Sequence, residues 1–134
     1  MKKRTMILML MISFKTLTAQ TLLTSMPDTD DDVKAIVRTG NIVVVGGIFT
    51  TLGTFSRPFL AAFDANTSTV LPWNPIPDDD INCLMVAENK LFVGGNFSTI
   101  SGQPRQGLAV YDLPGLNLIS FGPSPAGLGG VYDL

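Results

Sequence analysis

The chain is written twice. Set Val33 against Ile81, an offset of 48, and the two stretches run together without a gap from Val33 to Ala126. Asn41 falls on Asn89, and Val45-Gly46-Gly47 on Val93-Gly94-Gly95. Phe49 meets Phe97, Thr51 meets Thr99 and Arg57 meets Arg105. Leu60-Ala61 meets Leu108-Ala109, Asp64 meets Asp112, and Pro75 and Pro77 meet Pro123 and Pro125. Other pairs conserve character: Phe63 with Tyr111, Val70 with Leu118, Leu71 with Ile119, Trp73 with Phe121. Val131-Tyr-Asp-Leu134 then resembles Ile81-Asn-Cys-Leu84, the opening of a third copy. Repeats of this length are single supersecondary units that bury their apolar faces on one another.

Within each copy the apolar runs predict four short strands. The first is Val33–Val37 or Ile81–Val86, followed by a tight turn at Asn41 or Asn89, residues that tolerate positive φ. The second, Ile42–Gly46 or Leu91–Gly94, is rich in β-branched and aromatic residues. A loop containing Gly53 or Gly102 leads to the third, Leu60–Asp64 or Leu108–Asp112. The fourth is Val70–Trp73 or Leu118–Phe121, closed by prolines. Beyond the amino-terminal stretch no window of ten or more residues shows a helical period, so no helix is expected.

Four strands in about 45 residues is the content of one β-propeller blade. The pattern Val-x-Ala, Asn-x-Val-Val-Val-Gly-Gly-x-Phe, Arg-x-x-Leu-Ala-x-Phe-Asp and Trp-Asn-Pro resembles the delta-60 repeat family of secreted bacterial proteins, with kelch-like repeats a looser match through the Gly-Gly pair. The resemblance runs from Asp32 to the carboxyl end. It implies an all-β fold of two four-stranded antiparallel propeller blades plus the start of a third. A closed ring takes roughly 4–8 blades. Both ends of this stretch are therefore expected to leave apolar faces bare, to be covered by further blades of a longer chain or by self-assembly into a ring.

The amino terminus carries an address. Lys2, Lys3 and Arg4 precede the apolar run Met6–Phe14, and Leu17-Thr-Ala19 offers a small residue before Gln20. That order is a secretory signal peptide, too short to span a bilayer. The expected organisation is a signal peptide at 1–19, a polar lead-in at 20–31, repeats at 32–78 and 79–126, and a truncated third at 127–134. The mature chain is expected outside the cytoplasm, in the periplasm, at the cell surface or in the medium, with no membrane insertion.

Composition narrows the chemistry. With no His and 1 Cys, the chain lacks the usual general base, the commonest metal ligand and any internal disulfide. Four of its 9 Lys+Arg lie in residues 1–19, which leaves five against 11 acids and a net charge of −6. Such a surface repels phosphate, so nucleic acid is not an expected partner.

The recurring residues read as structure. Gly46-Gly47 and Gly94-Gly95 lack the Lys-Ser/Thr of a phosphate loop and stand where a Cβ would clash or φ turns positive. Arg57 and Arg105 recur with Asp64 and Asp112, and pair either with those carboxylates or with strand carbonyls to pin the long loop. Trp73 and Phe121 are expected in blade cores, with sugar stacking the alternative, and Phe49 and Phe97 recur as structural repeat positions. The acidic runs Asp28–Asp32 and Asp78–Asp80 lack a calcium-loop pattern and read as solvated turns. Cys83 aligns with Ala35 and reads as a buried thiol. Asn66-Thr-Ser68 and Asn96-Phe-Ser98 fit the glycosylation sequon, which means little if the source is bacterial. No cofactor or catalytic set is implied. The expected function is a secreted, non-enzymatic scaffold that binds a protein or glycan. The alternative is a piece of a carbohydrate-active hydrolase or lyase whose catalytic residues lie elsewhere.

Overall fold

The computed structural model describes residues 27–120. The expected signal peptide, most of the expected lead-in, Phe121 and the expected opening of a third copy lie outside them. The described residues contain no helix and ten strands. The first five are β1 (Val33–Thr39), β2 (Ile42–Gly47), β3 (Thr51–Leu52), β4 (Phe55–Ser56) and β5 (Leu60–Asp64). The second five are β6 (Ile81–Ala87), β7 (Lys90–Gly95), β8 (Thr99–Ile100), β9 (Gln103–Pro104) and β10 (Leu108–Asp112).

Strands β1, β2 and β5 form one antiparallel three-stranded sheet, and β6, β7 and β10 form another with the same order. In each the central strand comes from the Val-rich Gly-Gly run and pairs on both sides. The registers match at the offset of 48: Val33 opposes Gly47 and Ile81 opposes Gly95, each followed by the same irregularity. The tight turns differ. Glu88 and Asn89 both adopt positive φ, 51° and 59°, whereas in the first turn Gly40 does so at 57°.

The sequence expectation of four strands per copy needs correction. The fourth run touches its sheet through a single bridge, Phe63 with Val70 and Tyr111 with Leu118. One further hydrogen bond follows, from Leu71 N–H to the Ala62 carbonyl (2.9 Å) or from Ile119 N–H to the Val110 carbonyl (2.8 Å). In the first copy Pro72 then removes the donor that would extend the ladder. The loop after the central strand, in turn, is not plain loop. It folds into the two-residue hairpins β3–β4 and β8–β9. The described sheets do not close into a barrel or ring.

Alternation gives each sheet two faces. One face of the first sheet presents Val37, Val44, Leu60 and Ala62. It packs on the opposite face of the second, built from Leu91, Val93, Ala109 and Tyr111, with Ile81 between them. The remaining face of the first sheet holds Val43, Val45, Ala61 and Phe63 with Phe49, Leu52 and Ala65. The expectation that this amino-side face lies bare does not hold, since Val43, Val45 and Ala61 are 0% exposed.

Candidate functional site

Three groups of residues gather where the two sheets meet and where the hairpin loops fold back. The first group is the paired glycines. A Cβ built on Gly46 would stand 2.9 Å from the Cβ of Ile81, closer than packed carbons come. On Gly47 it would strike the Asp32 carbonyl and lie 3.0 Å from Val33 Cα, and on Gly95 the Asp80 carbonyl and 3.0 Å from Ile81 Cα. None of the four adopts positive φ. Of the two reasons for glycine here, close approach is the operative one. Gly94 lies at the position of β7 that corresponds to Gly46, opposite Leu108 and Cys83.

The second group is the loop clamp. Arg57 does not pair with Asp64. Its Nη1 donates to the Ser56 carbonyl (2.8 Å) and its Nη2 to the Leu71 carbonyl (3.2 Å). Arg105 repeats this on Pro104 (2.8 Å) and Ile119 (3.4 Å). The guanidinium thus ties the hairpin to the fourth run, and the Arg57 head also sits 5.4 Å from the Phe55 ring centroid. Asp64 accepts instead from the N–H groups of Asn66 (2.8 Å) and Thr67 (3.1 Å), and Asp112 from that of Asn117 (3.0 Å). These carboxylates shape the turns that follow their strands.

The acidic runs have a role that the sequence left as solvated turn. Asp30 accepts from the backbone N–H groups of Thr50 (2.7 Å) and Thr51 (2.9 Å) and from the Thr50 hydroxyl. Asp78 does the same for Ser98 (2.7 Å) and Thr99 (3.0 Å). Slight burial raises the Asp30 pKa, but the Thr50 hydroxyl and the two N–H donors outweigh it and hold the group at about 2. Asp78 is lowered for the same balance of reasons, its burial opposed by the Thr99 and Ser98 N–H groups. Among the described residues no cluster of three or more His, Cys, Asp or Glu is placed to hold a metal ion.

The third group joins the sheets. Trp73 meets Tyr111 edge-on, ring centroids 5.1 Å apart and planes at 90°. The Tyr111 hydroxyl shares a 2.7 Å hydrogen bond with Ser101. Burial pushes the phenol up to about 12, against the lowering effects of the Ser101 bond and the Arg105 charge. Trp73 therefore spends its ring on the neighbouring sheet. Lys34 of β1 reaches across to Asp80 (2.8 Å) and Asn82 (3.1 Å) at the start of β6. This polar strap was not foreseen, because Lys34 stands where the second copy has Asn82. Cys83 on β6 is half-buried rather than buried.

No protein-family model, curated protein or solved structure matches this chain.

Phe49 and Phe97, at 0% and 2% exposure, lie in the two cores. The arginines and aspartates hold the loops and turns of the units, while Trp73 and Tyr111 join one unit to the next. No nucleophile with an adjacent base is assembled among them.

Proposed function

We propose that the chain is a segment of a secreted or cell-surface β-propeller repeat protein that serves as a non-enzymatic scaffold for a protein or glycan. One observation carries the reading. Two units offset by 48 residues pack like face on unlike face, with Gly46 opened to admit Ile81. That arrangement can be extended by further units in the same direction, as propeller blades and solenoid repeats are. Each unit is a three-stranded sheet with a fourth run held at its edge by Arg57 or Arg105. The basic, apolar amino terminus supports export, and the residue pattern resembles the delta-60 repeats.

The reading is tested by expressing the full chain in a bacterial host and incubating what is exported with a panel of extracellular polysaccharides. The expected result is a chain recovered outside the cytoplasm, beginning near Gln20, that releases no new reducing ends. Cytoplasmic retention with Met1 intact, or turnover of any polysaccharide, would overturn it.

A further inference from the structure

The sequon Asn66-Thr-Ser68 lies in the turn between β5 and the fourth run of the first copy, and Asp64 builds that turn. Its Oδ1 accepts from the N–H groups of Asn66 (2.8 Å) and Thr67 (3.1 Å), and its carbonyl from that of Ser68 (2.8 Å). Ala65 is buried, and its N–H donates to the Asn41 carbonyl of the neighbouring turn (2.7 Å). One step on, Asn66 and Thr67 are exposed, as are Gly40 and Asn41 beside them. Asparagine in a turn ordinarily supplies a positive φ or a side-chain bond to the backbone. Asn66 supplies neither. Its φ is not positive, and among the described residues no hydrogen bond engages its carboxamide. The second copy builds the corresponding turn on Asp112 with Pro114 in place of Asn66. The fold therefore does not ask for asparagine at this position.

We propose that Asn66 is the acceptor of an N-linked glycan. Asn-x-Ser/Thr is the acceptor triplet of that modification. Bacterial transferases that modify folded, exported chains take the triplet where an acidic residue stands two positions earlier, and Asp64-Ala-Asn66-Thr-Ser68 has one. Both side-chain bonds of Asp64 go to Oδ1. Oδ2 bonds no described residue, which leaves it for a cation of the transferase. The step is a group transfer from a glycan carried on a polyprenyl diphosphate. Asn66 Nδ2 bonds to the anomeric carbon, and the bond from that carbon to the diphosphate oxygen breaks. The polyprenyl diphosphate leaves with the electron pair, and the amide gives up one proton to the transferase's base. Asn96-Phe-Ser98 is the contrast within the same chain. Gly94 stands two positions before Asn96, which is half-buried, and its Oδ1 accepts from Asn82 Nδ2 (3.4 Å). It is expected to stay unmodified. The inference rests on the export reading above.

The test expresses the full chain in a bacterial host that carries such a transferase and its lipid-linked glycan, beside a control protein with an established acceptor loop. A second version fuses the full chain behind a leader of the host's own. Trypsin separates the two sequons, since residues 39–90 carry Asn66 and residues 91–105 carry Asn96. Mass spectrometry is expected to find one glycan on peptide 39–90 and none on 91–105. Asn66→Gln is expected to abolish it. Asp64→Asn keeps an oxygen for the turn but removes the charge, and is expected to abolish it too, while Asp64→Glu retains it. Glycan on the leader-fused version alone would support the acceptor and overturn the export reading. A bare peptide 39–90 in both versions, with the control protein modified, would overturn the proposal and leave the export reading to its own test. Glycan retained in Asn66→Gln or in Asp64→Asn would also overturn it.

Discussion

Trp73, in the last run of the first copy, stands edge-on against Tyr111 of the second at 5.1 Å. It joins parts of the chain that are far apart in sequence, and Tyr111 is further fixed by Ser101 at 2.7 Å. Trp73→Ala removes that contact and the apolar area beneath it. Edge-to-face pairs contribute about 0.5–1.5 kcal/mol beyond burial. With partial burial added, the expected loss is about 2 kcal/mol, read as a lower denaturant midpoint. Tyr111→Phe keeps the ring and is expected to cost about 1 kcal/mol, the contribution of one hydrogen bond.

The glycine notch gives a sharper comparison. Gly46→Val forces methyl groups into Ile81, and overpacking of a tight core typically costs about 1–3 kcal/mol. Gly40 has open space around it but φ of 57°, so Gly40→Ala meets only backbone strain, about 1 kcal/mol. Thermal unfolding of the two variants is expected to rank Gly46→Val as the less stable.

How far these features can be read from the sequence varies with their range. The six main strands are legible because Ile42–Gly47 and Lys90–Gly95 are dense in strand-forming residues and their partners alternate. The hairpins β3–β4 and β8–β9 are invisible because two residues carry no period. Val70–Trp73 reads as a strand on composition, yet Pro72 stops its ladder after one bridge. The spacing of Arg57 and Asp64 shows that they recur together. It does not tell which partner each takes, since the Leu71 carbonyl reaches Arg57 only through the fold. The caps from Asp30 and Asp78, 20 residues before the groups they bind, are tertiary for the same reason.

Asp30 makes stability depend on acid. Its folded pKa of about 2 lies below the ordinary 3.8, so its contribution is complete above pH 4 and fades as pH falls through 2. Asp78 is lowered in the same direction. Wild type is therefore expected to lose stability between about pH 4 and pH 2, and Asp30→Ala to lose less of it. Denaturant midpoints of the two proteins should converge at the acid end of that range. A constant gap down to pH 2 would show that the capping bonds do not depend on the charge.

The arginine clamp tests whether the fourth run is held by side chain rather than by ladder. Arg57→Lys keeps the charge but cannot fork to both the Ser56 and Leu71 carbonyls. The expected cost is about 1 kcal/mol. Amide exchange should quicken at Leu71, whose N–H bonds Ala62, while exchange within β2 stays slow.

The account stands on the packing of one sheet's face on the other's, with Ile81 entering over Gly46. The most direct test is a nuclear Overhauser measurement on the purified chain between the Gly46 α-protons and the Ile81 γ2-methyl group. A strong cross-peak is expected, since the methyl carbon occupies the space that a Cβ at Gly46 would need. A folded spectrum that shows the β1–β2 and β6–β7 cross-strand contacts but lacks this peak would contradict the packing.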